Sequence, residues 1–221
     1  MKKNVALIAV RKGSQRIKNK NIRNFCGTSL LEIKVKQAMR CAKIDEVFVS
    51  SDCQEMLSIS KKLGAKILSR PEMYCSNSVA MNDVYEFLAK SVSCENIVYL
   101  HVTSPLLKDE TLYSCITRYE EYLKKGFDSL ATVESVKKYL WHGEKAVNYD
   151  PNFHPRSQDL PEYTALNFAV NIIKRDTMII NKNILGRKFY PYVLDEIESI
   201  DVDNFNDMEI ASYFYKKKIN E

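Results

Sequence analysis

Glycine and proline are scarce, six of each in 221 residues, which excludes a collagen-like or linker-rich chain. No stretch of about 18 apolar residues occurs, and that excludes a transmembrane helix. The six cysteines (26, 41, 53, 75, 94 and 115) include no Cys-x-x-Cys pair. Such spacing offers no zinc site and no disulfide frame, so reduced thiols in a cytoplasmic protein are expected. Basic residues exceed acidic ones by only 33 to 28, a net charge of +5. That excess is too mild to argue nucleic-acid binding by itself, but it suits anionic ligands. What is present is ample apolar material, 45% of the chain, enough to exclude wholesale disorder and to fill a large core.

The apolar run Val5–Val10 passes directly into Arg11-Lys12 with no small-residue cleavage site. It reads as a first strand buried on both faces, not as a secretory signal. Strands are further expected at Val47–Val49, Ala65–Leu68, Ile97–Val102, Ser129–Val133, Phe168–Ile173 and Phe189–Val193. Helices are expected near 29–42, 54–63, 78–91, 109–125, 175–182 and 206–217, the second stopped by Gly64. This alternation predicts a layered α/β sheet in a single domain over 1–221, with ligands outside the carboxyl ends of the strands. The rhythm breaks at Val136–Pro161, which holds Trp141, Tyr149 and three prolines. The segment is too short for its own core and reads as an irregular arm that serves association.

Two places carry chemistry. Arg11-Lys12-Gly13-Ser14-Gln15-Arg16-Ile17-Lys18-Asn19-Lys20-Asn21 sets five cations, a glycine and a serine behind the first strand. A solvated basic turn has the same composition, but the position favours a loop that wraps phosphates. No Gly-Lys-Ser/Thr closes it, so it is not a Walker A loop. The second is Ser199-Ile200-Asp201-Val202-Asp203, where alternation puts both aspartates on one face. They serve either as a strand end with a helix cap at Asp207 or as hard oxygen ligands for Mg²⁺.

In combination these motifs resemble the acylneuraminate cytidylyltransferases, the CMP-sialic acid synthetases, along nearly the whole chain. The resemblance is carried by Val10–Asn21, by Ser50-Ser51-Asp52, by Arg70-Pro71 with Ser76-Asn77-Ser78, by His101-Val102-Thr103-Ser104-Pro105-Leu106-Leu107, and by Ile200-Asp201-Val202-Asp203 with Asp207. It implies a three-layer, Rossmann-like nucleotidyltransferase fold with a mostly parallel sheet and a protruding dimerisation arm at about 136–162. It also implies transfer of CMP from CTP to an acidic sugar acceptor with release of pyrophosphate, by a homodimer that needs neither nucleic acid nor membrane.

The residue roles that follow from the resemblance are specific. Arg11 and Lys20 would hold the phosphates and act with Asp203 in catalysis. Ser14, Asn21, Arg70 and Ser78 would complete the nucleotide site, and Asp201 and Asp203 would hold Mg²⁺. His101, Thr103, Ser104, Gln158 and Asn167 would face the acceptor. Lys18, where the family often has Pro, reads as solvated, and His142 and His154 of the arm read as structural.

The departures gather on the acceptor side. His101 stands for a Gln, Leu107 for an Arg, Phe168 for a Gly and Asn171 for a Tyr, and Ala165 lies where some sialic acid enzymes have Arg. A guanidinium is the preferred partner of a planar carboxylate, so an acceptor other than N-acetylneuraminate is expected. The rivals are a cytidylyltransferase for Kdo or for a phosphonate, and a nucleotide-binding homologue without turnover. RNA binding is disfavoured because the first loop carries no aromatic residue before Phe25.

Overall fold

A computed structural model describes residues 2–76 and 78–220, with side chains through 217. In chain order the elements are β1 (Lys2–Ala9), α1 (Leu30–Arg40), β2 (Glu46–Ser51), α2 (Gln54–Lys62), β3 (Lys66–Ser69), α3 (Met81–Lys90), β4 (Cys94–Leu100) and α4 (Asp109–Leu123). They continue with β5 (Ser129–Val136), β6 (Trp141–His142), β7 (Lys145–Ala146), β8 (Tyr163–Lys174), α5 (Arg175–Asn181), β9 (Phe189–Val193) and α6 (Phe205–Asn220). Seven strands form one sheet in the order β3-β2-β1-β4-β8-β5-β9. All neighbours are parallel except β8, which runs antiparallel to both β4 and β5.

The alternation within β1 shows why three layers form. Ala6 and Ile8 point into one core with residues of α1, α4 and α6, while Val5 and Leu7 point into another with Val84 and Leu88 of α3 and Met178 of α5. A strand covered on both faces must be apolar throughout, as Val5–Ile8 are. In register, Ile8 lies beside Leu100 and Leu100 beside Val170. The ends of β1 and β4 therefore share one edge of the sheet with the stretch of β8 just before Val170.

Helix ends follow local chemistry. The N–H of Glu32 donates to Ser29 Oγ at 3.2 Å, capping α1. Gly64 ends α2 at φ +93°, a conformation that favours glycine.

Several expected boundaries move. The helix expected from 78 starts at Met81, and the strand expected from 168 starts at Tyr163. Within α1, Met39 is exposed while Lys34 and Gln37 are buried. The reason is polar: Lys34 Nζ donates to Gln37 Oε1 (2.7 Å) and to the Ser104 carbonyl (3.0 Å), and Gln37 Nε2 to the Leu107 carbonyl (2.7 Å).

The 136–161 segment leaves the main sheet and makes the β6–β7 hairpin. It buries part of its aromatic surface against itself, with Tyr139 packed on Tyr149 and His154, while Trp141 and Phe153 stay exposed. All six cysteines are free. Among the described residues no helix is long and apolar enough to cross a membrane.

Candidate active site

The first loop is built on its one apolar side chain. Ile17 is fully buried and anchors the loop, with Lys12, Arg16 and Lys18 exposed around it and Arg11 and Lys20 half-buried. Gly13 at φ +85° supplies the turn. Asp52, at the end of β2, accepts the Lys12 N–H at 2.8 Å. Asn21 is buried and donates through Nδ2 to the Arg11 carbonyl at 3.3 Å, closing the loop on itself.

Lys20 and Arg16 then reach across to the other end of the chain. Lys20 Nζ donates to the Val202 carbonyl at 2.7 Å and lies 3.4 Å from Asp203 Oδ1, which Arg16 also holds at 2.7 Å. The loop and the late aspartates, read separately from the sequence, thus form one site.

Two cavities open at this edge and share Arg11 and His101. A 250 Å³ cavity is lined by Arg11, Ser14, Arg16, Lys20, Asn21 and Thr103 among others. A 310 Å³ cavity is lined by Arg70, Tyr74, Cys75, Val79, Met81 and Tyr99 among others. Arg11 bridges them and donates to the Cys75 carbonyl at 3.2 Å. Buried Arg70 donates to the Val10 carbonyl, and its Nε has no partner among the described residues. A cationic cavity beside one that carries Tyr74 and Tyr99 suits a polyphosphate joined to a flat base.

His101 sits where the two cavities meet, its ring 5.1 Å from that of Tyr99 and 6.0 Å from that of Phe168. Its Nε2 is buried without a partner among the described residues. Burial, followed by the charges of Lys34 and Lys20, pushes its pKa down to about 4, so the imidazole is neutral at ordinary pH.

A third cavity of 530 Å³ is lined by Asn167, Phe168, Asp201, Asp203 and Asp207 with Glu134 and Glu196. Burial raises the Asp201 pKa, against a hydrogen bond from Thr103, and the charges of Asp203 and Asp207 raise it further. Asp207 caps the turn, accepting the N–H groups of Asp203 (2.8 Å) and Asn204 (2.9 Å). Among the described residues no group of three or more His, Cys, Asp or Glu is arranged to hold a metal. Asp201 and Asp203 are a pair of hard oxygen donors under mutual repulsion, a donor set that fits Mg²⁺ once phosphate oxygens complete it.

Three expected site residues fall elsewhere. Ser104 is buried and lines none of these cavities; its carbonyl is held by Lys34 and it supports the corner that presents Thr103. Gln158 is exposed in the short turn Ser157–Asp159 and also lines none of them. Ser78 is exposed, with its Oγ 3.1 Å from that of Ser76; Val79 and Met81 face the cavity instead. Asn77 lies outside the described residues. Neither Cys75, whose contribution is a backbone carbonyl, nor Thr132, which donates to Asn167 Oδ1 at 2.7 Å, stands in a motif that marks it.

A basic loop at the strand-end edge of a mostly parallel sheet, tied to Asp203 from the far end of the chain, is an arrangement that suits a nucleotidyltransferase. A model described as cytidylyltransferase matches residues 5–190, and the chain belongs to that family. It is 25% identical to a pseudaminic acid cytidylyltransferase of Campylobacter jejuni, over 97% of each chain. It is 28% identical to an N-acylneuraminate cytidylyltransferase of Oncorhynchus mykiss, over 93% of this chain but 49% of that one. In fold it is similar to a solved CMP:2-keto-3-deoxy-manno-octonic acid synthetase complexed with CTP, at a TM-score of 0.71 and 14% identity, covering 98% of this chain and 99% of that one.

Proposed function

We propose that the chain transfers the cytidylyl group of CTP to an acidic sugar of the nonulosonic class other than N-acetylneuraminate, releasing pyrophosphate. The observation that carries this reading is the contact of Lys20 and Arg16 with Asp203, which sets phosphate-binding cations against the cavity that would admit an acceptor. The acceptor hydroxyl would attack the α-phosphorus in line, chemistry that depends on positioning and charge neutralisation. Arg11 and Lys20 hold the phosphates and offset charge on the departing pyrophosphate. Asn21 keeps the loop in shape, and Arg70 bounds the nucleoside cavity.

Asp201 and Asp203 would hold Mg²⁺, which when bound supplies a Lewis acid to the phosphate oxygens. On the acceptor side Asn167 lines the cavity, and among the described residues its Nδ2 and the Nε2 of His101, which lines the two neighbouring cavities, are buried without protein partners. Neither is a fork-shaped cation, which supports an acceptor recognised through hydroxyl or amide groups as well as its carboxylate. The full-length similarity to a pseudaminic acid enzyme supports the same reading. We further propose a two-fold dimer through the arm, whose Trp141 and Phe153 are exposed. The reaction is tested by pyrophosphate release from CTP across a panel of acidic sugars.

A further inference from the structure

Phe168 has φ +59°. For a bulky L-residue this left-handed conformation is a true outlier, because the Cβ crowds the following carbonyl. Strain of this kind persists only where the surroundings over-determine it, and here they do. Asn167 Oδ1 accepts the Thr132 hydroxyl at 2.7 Å and the Ala169 N–H at 3.2 Å. Thr132 Oγ1 accepts the Val170 N–H at 3.0 Å, and Asn171 Nδ2 donates to the Phe168 carbonyl at 3.3 Å. The β5–β8 register shifts between Ala131 and Val133, so this network stitches a bulge, a device that re-aims a side chain.

The side chain re-aimed is Phe168. Its ring lies 6.0 Å from that of His101 and packs partly on the core that holds Val5, Leu7 and Tyr99, and the residue lines the 530 Å³ cavity with Asp201 and Asp203. Glycine would take the same backbone conformation without strain. A position that needed only the bulge would be served by glycine, so the ring itself has a use.

We infer that Phe168 is a specificity-determining residue, whose ring forms an apolar wall between His101 and the Asp201–Asp203 pair and selects acceptors carrying an apolar substituent. The inference rests on the proposed reaction. An acceptor must bring its hydroxyl to a phosphorus held by the first loop, and the 530 Å³ cavity is joined to that loop through Asp203. A sugar entering there meets Phe168 beside Asn167; among the described residues Asn167 Nδ2 and His101 Nε2 are buried without partners, His101 lining the two neighbouring cavities. That pattern fits an acidic sugar whose acyl methyl or deoxygenated carbon packs on the ring while adjacent hydroxyl or amide groups pair with the two nitrogens.

The test compares wild type, Phe168→Gly and Phe168→Tyr with CTP and paired acidic sugars that carry or lack an N-acyl methyl. Phe168→Gly is expected to lose about tenfold or more in kcat/KM for the best acceptor, chiefly through the acceptor KM. Its preference for the acylated member of each pair should collapse, while the KM for CTP stays within about twofold of wild type. Phe168→Tyr, which keeps the ring, should retain the preference. Acceptor kinetics unchanged in Phe168→Gly would overturn the role of the ring, as would equal losses toward CTP and acceptor. Wild-type protein that releases no pyrophosphate with any acidic sugar would instead overturn the reaction on which the inference rests.

Discussion

Lys20 and Asp203 stand 183 residues apart in the chain and 3.4 Å apart at the site. The Lys20 side chain is only 12% exposed, so water screens this pair less than a surface one. With its carbon stem enclosed, the ammonium can donate to the Val202 carbonyl and Asp203 and still offer a third N–H to a phosphate. Lys20→Met is therefore expected to weaken CTP binding by roughly 10- to 100-fold, the loss of one or two charge-assisted hydrogen bonds. Titration calorimetry with CTP checks this, and an unchanged Kd would remove Lys20 from the nucleotide site.

Asp203 is the complementary case. EDTA is expected to abolish turnover and Mg²⁺ to restore it, and Asp203→Asn should lower turnover by about 100-fold or more, since metal-assisted charge stabilisation is worth several kcal/mol. The variant's far-UV circular dichroism should match wild type. Near-normal turnover in Asp203→Asn would exclude a metal role for the pair.

Much of this site was legible before any coordinates. The unbroken apolar run of Val5–Val10 announced a strand covered on both faces, and the cations after it marked the loop that lines the 250 Å³ cavity. Alternation at Asp201-Val202-Asp203 also held, with Val202 buried and both carboxyls lining one cavity. What stayed hidden depends on contacts distant in sequence. Lys34 and Gln37 are inside because their partners are the Ser104 and Leu107 carbonyls, and no helical periodicity marks a buried lysine. The left-handed backbone of Phe168 is set by a bulge against Thr132, whereas sequence propensity places left-handed turns at glycine or asparagine. Ser104 resembled an acceptor contact by motif, whereas it is buried after β4 with its carbonyl held by Lys34.

The His101 environment predicts a pH signature. Its folded pKa of about 4 lies below the ordinary value of about 6.5. Between those two values the unfolded chain takes up a proton that the folded chain refuses, so His101 lowers stability progressively as pH falls from about 6.5 to about 4. Above that window its contribution does not change with pH. His101→Gln should flatten the stability–pH curve inside the window by up to about 3 kcal/mol and leave the slope above pH 7 unaltered. Denaturant melts of both proteins across that range check it, and parallel curves would contradict the buried, neutral imidazole.

The arm predicts assembly. Trp141 and Phe153 are 51% and 79% exposed, and large aromatics are the side chains that anchor interfaces. Light scattering at micromolar concentration should report a dimer. Replacing both residues, Trp141→Ser with Phe153→Ser, should shift the protein toward monomer. A wild type that is strictly monomeric and fully active would refute the arm's proposed role.

The most direct test is pyrophosphate release by the purified wild type with Mg²⁺, CTP and, in parallel, N-acetylneuraminate, other nonulosonic acids, Kdo and a phosphonate, with ATP, GTP and UTP as controls. The account predicts turnover that requires CTP, with kcat/KM for another nonulosonic acid exceeding that for N-acetylneuraminate by about tenfold or more. Absence of CTP-dependent pyrophosphate release with every acidic sugar would contradict the proposed reaction, and N-acetylneuraminate as the clear best acceptor would contradict the reading of the acceptor cavity.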